Sequence, residues 1–461
     1  MAKDLRSFLA QIKDRILHIQ KPADPLTEMG GICQLVEQPV LFDNVKGYAG
    51  WKVVDRLFAS RELVALAAGV PADGMLEHLR DKWLRPPAYE AVTVDHAPVK
   101  EKIVKGKEVD LEALPVVVSS PKDSGRFLSA AHLVSVNPET GDLNAAFSRT
   151  ELKGKNLISS GLFRPDTLRN VALHKEQGQK TMPIALCIGH HPAFDLSASA
   201  SFNHPGYSEH EMTGNLLGEP VELTQCETVN LKVPAHAEIV IEAEMDLTQH
   251  VPNGPFGEYT IHYGYDANGY GSRVTAILRR EDAIYRHLNA TRFTDHQVLT
   301  GIPHAVQIYT DLISKGHQVH DVDFPPYGSR LLLVIKATPR YDGEARDMFL
   351  TACARNAVAK FVVIVDDDVD IDDPRDIFNV LATNADPVES LMTVDGLPSN
   401  LLNPTARDRT SPYTCTGPKI LIDATRGSTM GRPERREEME RIGFWPGIAL
   451  NALWPLWPCQ T

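Results

Sequence analysis

Over residues 4–19, Leu5, Phe8, Leu9, Ile12 and Ile16 fall on one face at helical spacing, with Asp4 placed to cap the first turn. A second helical stretch covers about 61–82. From about 90 to 280 the pattern changes to short apolar or alternating runs. Examples are Leu133–Val136, Met182–Gly189, Ala237–Glu242 and Arg273–Leu278. Several of them alternate, which predicts a half-buried mixed or antiparallel sheet rather than an all-parallel one. Residues 296–314 then read as one helix, with Val298, Leu299, Ile302, Val306 and Ile308 as its apolar positions. After it, strand 331–335, helix 343–358, strand 361–365 and helix 374–384 alternate as in a small α/β domain. Residues 395–435 are turn-rich and read as a linker. The end of the chain carries Trp445, Trp454 and Trp457, too apolar to stay solvated alone, and is expected to dock, preferably on a neighbouring copy.

With 461 residues the chain is long enough for two to three domains and a large core. A formal net charge of −13 with no basic stripe argues against a nucleic-acid partner. The six cysteines are scattered without zinc spacing, as in a reduced cytoplasmic protein. No signal-peptide pattern and no membrane-length apolar run stand out, and no Rossmann-type glycine fingerprint is present.

Two segments carry candidate chemistry. Asn253-Gly254-Pro255-Phe256-Gly257-Glu258 packs two glycines and a proline around one carboxylate, which predicts a tight turn. Asn144-Ala145-Ala146-Phe147-Ser148-Arg149 follows a turn signal at 137–141. An amide, a guanidinium and a carboxylate delivered by two such loops suit binding and protonating a small carboxylate. Either segment alone is more often structural. His190-His191 lacks the spaced carboxylates of a metal site. The acidic run Asp366-Asp367-Asp368 with Asp370, Asp372 and Asp373 lacks the glycine and terminal glutamate of an EF-hand and reads as a solvated strand end.

In order along the chain, seven segments resemble the UbiD family of decarboxylases, which use prenylated FMN. They are the opening Asp4–Leu9; Asn144 with Arg149; Pro183–Gly189 with Pro192-Ala193; Glu209 with Gly214 and Gly218; Val233–Val240; Gly254–Glu258; and Lys360–Asp368. The resemblance implies an α+β fold: a split-barrel-like flavin-binding region over 1–295, a connecting helix over 296–316, a C-terminal α/β oligomerisation domain over 317–440 and an apolar tail over 441–461. It implies reversible, non-oxidative decarboxylation of an aromatic, heteroaromatic or α,β-unsaturated acid, in a homodimer or homohexamer supplied with cofactor by a flavin prenyltransferase.

The roles it implies follow residue by residue. Arg149 would hold the substrate carboxylate, and Glu258 would protonate the product carbon. Asn144 and Glu209 would bind Mn²⁺ or Mg²⁺ beside the flavin phosphate. The carbonyls of Ala198, Ser199, Ala200 and Ser201 would hold K⁺ and line the flavin, with Ser148 and Lys360 as further cofactor contacts. His262 and Arg292 are candidates for the substrate pocket.

Three positions depart from the family pattern. Ser148 stands where a tyrosine is usual. Asn253 replaces the usual glutamate, so Glu258 is expected to lack a like-charged neighbour and to have a lower pKa than its family counterpart. No histidine occurs near Leu162-Phe163-Arg164. Either Arg164 binds the phosphate directly, or the metal is held by two protein ligands and water. The competing reading is a catalytically reduced subunit that scaffolds a multi-subunit carboxylase. An ordinary flavin reductase or oxidase is a third.

Overall fold

The computed structural model describes residues 3–200, 206–289, 295–411 and 413–441. Strand-forming runs between 102 and 279 assemble a nine-stranded sheet. Its order is Phe127–Leu128, Thr150–Leu152, Leu157–Ser160, Tyr270–Arg279, Ile239–His250, Thr181–Ile188, His132–Val136 and Leu143–Phe147, with Lys102–Lys105 also on Tyr270–Arg279. Every pairing in it is antiparallel. The period-2 alternation sorts side chains between two cores. Ile184, Leu186, Ile188, Ile239, Ile241 and Met245 enter one, while Ala185, Cys187, Val240, Ala276 and Leu278 enter the other. Both faces are therefore covered, and the sheet is a rigid base for the segments at its edge.

The helix Asp295–Ser314 follows the sheet, with Pro303 inside it. Its Leu299, Ile302, Val306 and Leu312 join a third core together with Leu5 and Phe8 of the first helix, Trp83, and Leu333, Ile335, Phe349 and Val362 of the C-terminal part. That part is a five-stranded sheet in the order Val319–Asp323, Leu332–Ala337, Phe361–Val365, Thr416–Asp423, Leu391–Pro398. Its two central pairings are parallel. The whole is a mixed α+β architecture.

A buried ionic cluster fixes the start of the long helix. Arg286, 2 % exposed, donates to Asp55 Oδ1 at 3.2 Å and to Asp295 Oδ2 at 3.1 Å. Arg6 holds both oxygens of the buried Glu238 at 2.8 and 3.0 Å, pinning the N-terminal helix to the sheet.

Several elements differ from the periodicity reading. Asp4 does cap its helix, in a reciprocal capping box with Ser7. That helix stops at Gln11, and Leu17–Ile19 pairs as a parallel strand with Val40–Phe42. Extended pairing satisfies a backbone that the helix would otherwise have to continue. The stretch 61–82 is two helices, Arg61–Ala68 and Met75–Leu84. Gly69 closes the first at φ +61° and Pro71 stops its continuation. The expected linker 395–435 contains Thr416–Asp423 and the second half of Leu391–Pro398, two strands which complete the C-terminal sheet. The tryptophan-bearing tail lies outside the described residues. Among the described residues no helix is long and apolar enough to cross a membrane.

Candidate active site

Arg149 sits between two strands of the sheet, Leu143–Phe147 and Thr150–Leu152, and its carbonyl accepts from Gly161 N at 3.0 Å. Asn253 begins a short hairpin, Asn253–Gly257 paired with Tyr263–Asp266. The two segments expected as loops are thus mostly strand, and the turn lies further on, over 258–262, where Glu258 N donates to His262 O at 2.9 Å. Gly254, at φ +101°, donates its N–H to Glu151 Oε2 at 2.9 Å. No L side chain adopts that backbone easily.

Arg149 reaches across to the hairpin. Its Nε donates to Asn253 Oδ1 at 2.7 Å, its Nη2 to Asn253 O at 3.3 Å, and its Nη1 to Glu258 Oε1. Asn253 Nδ2 returns hydrogen bonds to Ser159 O at 2.7 Å and Arg149 O at 3.3 Å. Gly264 lies against this pair; a Cβ there would meet Arg149 Nη1 and Glu258 Oε1 at 2.8 Å each. Phe163 lies under the guanidinium, 5.5 Å from its carbon. Amide, guanidinium and carboxylate therefore meet in one buried place.

The electrostatics contain a group that the motifs did not reveal. Asp123 accepts from Gly257 N at 3.0 Å and Ser120 N at 2.8 Å, beside Glu258. Burial pushes its carboxyl up to about 6, against its backbone hydrogen bonds and the pull of Arg149. Burial also raises Glu258; Arg149 opposes this, and Asp123 adds to it. The expectation that Glu258 lacks a like-charged neighbour is therefore corrected: Asp123 supplies one from outside the motif. Its signal, a serine-proline turn at Ser119–Gly125, is recognisable in sequence only as a turn.

The expected metal ligands lie together on the neighbouring strand and helix. Glu209 Oε2 accepts from Ala145 N at 2.7 Å, one residue after Asn144. Burial raises the Glu209 carboxyl to about 7. Asn144 Nδ2 donates to Thr167 Oγ1 at 3.0 Å, which leaves the amide oxygen as the ligating side. An amide oxygen and a carboxylate suit a hard divalent cation, with the remaining positions left to phosphate and water. Among the described residues no group of three or more His, Cys, Asp or Glu could hold a metal alone.

The potassium expectation does not fit. Arg164 Nη2 donates to Ala198 O at 3.4 Å and also to Ala200 O. Two of the four carbonyls assigned to K⁺, those of Ala198 and Ala200, already face a permanent cation, and a second would be repelled there. Arg164 is thus turned toward this loop.

The other expected residues are scattered. Ser148 is buried beside Arg149 and donates to Gly161 O at 3.2 Å. Ser199 Oγ donates to Leu196 O at 2.9 Å within its own helix. Lys360 is not brought to the site: just before the strand Phe361–Val365, its Nζ donates to Thr405 Oγ1 at 2.8 Å. His262 lies exposed, its Nδ1 2.6 Å from Thr260 O, because the turn that aims Glu258 inward aims His262 outward. Ser201 and Arg292 lie outside the described residues.

Comparison with known proteins identifies the family. The UbiD central model, described as a 3-octaprenyl-4-hydroxybenzoate carboxy-lyase Rift-related domain, matches residues 90–292. The C-terminal and N-terminal domain models match 297–424 and 10–83. The chain belongs to the UbiD family. It is a carboxy-lyase of that class. It is 30% identical over 91% of its length to an anhydromevalonate phosphate decarboxylase from Methanosarcina mazei, of which 96% is covered. Among solved structures, the UbiD-class enzyme HmfF from Pelotomaculum thermopropionicum in complex with FMN is 32% identical, with a TM-score of 0.89 over 97% of this chain and 99% of that one. An evolved dimeric form of HmfF in complex with prFMN is 31% identical, with a TM-score of 0.85 over 98% and 100%. The 3,4-dihydroxybenzoic acid decarboxylase from Enterobacter cloacae, 23% identical with a TM-score of 0.88 over 98% and 99%, shares the fold.

Proposed function

We propose that this UbiD-family protein catalyses the reversible, non-oxidative decarboxylation of an aromatic, heteroaromatic or α,β-unsaturated carboxylic acid with prenylated FMN. The observation that carries the reading is the direct contact of Arg149 with both Glu258 and Asn253. When bound, prenylated FMN supplies the electron sink that such an acid lacks. Asn144 and Glu209 are the residues to hold Mn²⁺ or Mg²⁺ at its phosphate.

This chain's own residues bind, orient and move the proton. Arg149 receives the substrate carboxylate on a guanidinium whose orientation Asn253 fixes. The carboxylate brings a second negative charge beside Glu258, which favours the acid form of Glu258. CO2 leaves neutral and loses its attraction to Arg149. The electron pair of the broken bond stays with the substrate carbon, and the Glu258 O–H gives that carbon its proton. In carboxylation the same groups act in reverse.

Coexpression with a flavin prenyltransferase should yield protein with a modified-flavin absorbance and the corresponding cofactor mass, and CO2 release from members of an acid panel. Glu258→Gln should keep the flavin and lose turnover. A purified protein that binds no flavin and releases no CO2 would refute the proposal and favour the scaffold reading. The assembled Arg149–Glu258 pair stands against that alternative. Assembly as a homodimer or homohexamer is part of the same proposal and is read by light scattering.

A further inference from the structure

Directly after Glu258, three elements converge on one arginine. The Arg330 guanidinium lies over the Tyr259 ring, 4.6 Å from its centre. The His296 ring meets Tyr259 edge-on at 6.0 Å, and Gln297 Nε2 donates to Tyr259 O at 2.6 Å. Tyr259 belongs to the turn bearing Glu258. His296 and Gln297 belong to the first turn of the long helix. Arg330 precedes the strand Leu332–Ala337, in a left-handed pair with Ser329 at φ +58° and +50°. A non-glycine pair held in that region is strained, and such strain collects where a side chain must be aimed.

The meeting place is polar, buried and unsatisfied. Tyr259 Oη, Thr260 Oγ1, His296 Nδ1, Gln297 Oε1 and Arg330 Nε are all buried without a hydrogen-bond partner. Buried polar atoms are normally paired, so orphans on Tyr259, on the three side chains that touch it and on Thr260 next to it in the chain point to a missing ligand. Its sign follows from the charges. Arg330 is 8 % exposed and forms no ion pair with any carboxylate among the described residues, whereas Arg286 and Arg280 are paired at 3.2 and 2.9 Å. The charged neighbour that bears on Arg330 is a further cation, Arg164. His296 and His304 are kept neutral by burial and by Arg330, His296 with a pKa of about 3. An unpaired buried guanidinium is costly and is retained where a ligand completes it.

We propose that Tyr259, Thr260, His296, Gln297 and Arg330 form a second anion subsite, which receives a carboxylate or phosphate on the substrate remote from the carboxyl held by Arg149. The preferred substrate is then a dianion. This rests on the proposed decarboxylase reading and narrows its substrate class. The competing source of the anion is the cofactor phosphate. The substrate is favoured because Tyr259 is bonded to Glu258, the proton donor, and so stands at the reacting end of the site.

The test uses the flavin-loaded enzyme and matched acids: crotonate against glutaconate, and benzoate against isophthalate, terephthalate and 3-phosphonobenzoate. A charge-assisted pair predicts that kcat/KM favours the dianions roughly 10- to 100-fold. Arg330→Gln should bring that ratio toward one, chiefly through KM, with flavin content unchanged, and Arg330→Lys should restore part of it. Equal turnover of monoacids and dianions by the unaltered enzyme overturns the proposal, whatever the variants do. Flavin loss in a folded Arg330→Gln variant also overturns it and assigns the cluster to the cofactor phosphate. If no acid releases CO2, the decarboxylase reading fails separately. Titration of the same protein with isophthalate and benzoate then still decides the subsite, which requires tighter binding of isophthalate.

Discussion

Gly264→Ala tests whether catalysis depends on the close seating of Arg149 against Glu258. Gly264 has no positive φ, so alanine fits its backbone and the effect is purely one of space. The new methyl carbon would lie 2.8 Å from Arg149 Nη1, 2.8 Å from Glu258 Oε1 and 2.9 Å from Glu258 Cγ. Ordinary contact begins near 3.4 Å, so each tip must yield about 0.6 Å. Neither can do so freely, because Arg149 is also held by Asn253 at 2.7 Å and Glu258 is buried. Overpacking of this kind costs about 1–3 kcal/mol. Expressed at the transition state, that is roughly a 5- to 150-fold loss in kcat/KM. The assay is CO2 release by flavin-loaded protein on the best acid of the panel, with cofactor content and the thermal midpoint measured in parallel. Gly31→Ala is the control: no atom lies within 4 Å of its Cβ. It sits in the helix Met29–Leu35, where alanine should stabilise by about 1 kcal/mol. Undiminished kcat/KM in Gly264→Ala would refute the reasoning, since the pair could then shift without consequence.

Asp123→Asn removes a negative charge that raises Glu258. Glu258 acts as an acid, so activity falls as pH rises through its pKa, and losing Asp123's charge should move that alkaline limb to lower pH. An unmoved or upward-shifted limb in the pH–rate profile would exclude Asp123 from the proton-donor electrostatics. Arg286→Met leaves Asp55 and Asp295 buried without their cation; urea unfolding should show a loss of about 3–5 kcal/mol, and a loss under 1 kcal/mol would contradict the pairing. Because Arg164 occupies the Ala198 and Ala200 carbonyls, exchanging K⁺ for Na⁺ at constant ionic strength should leave the thermal midpoint and turnover unchanged. A strong and specific K⁺ requirement would count against that assignment.

Legibility in the sequence followed the range of the interactions involved. Leu299, Ile302 and Val306 share a helical face whose period is visible locally, and the helix Asp295–Ser314 carries them. Met182–Gly189 reads as a strand because the alternation that sorts Ile184 from Ala185 is written into adjacent residues. Periodicity overextends the first helix because Ile16 continues its apolar face, while the pairing of Leu17–Ile19 with Val40–Phe42 is non-local. At the site, Arg149 and Glu258 lie in recognisable motifs. Asp123 does not, since its approach to Gly257 depends on a chain crossing between residues far apart in sequence. Arg330 is illegible for the same reason: a lone arginine before a strand carries no signal until Tyr259 is folded against it.

The amide of Asn253 has a consequence for the departure it represents. Its nitrogen donates to two main-chain carbonyls, Ser159 and Arg149, while its oxygen accepts from the Arg149 side chain. An ionised glutamate has no proton to offer and could serve only the last of these three. Placing an acid here would strip a staple between the hairpin and the sheet, and would leave the Arg149 carbonyl with only its bond from Gly161 N. In this chain the residue works as a rivet, and the bond it closes is one that an ionised carboxylate at this position is chemically unable to make.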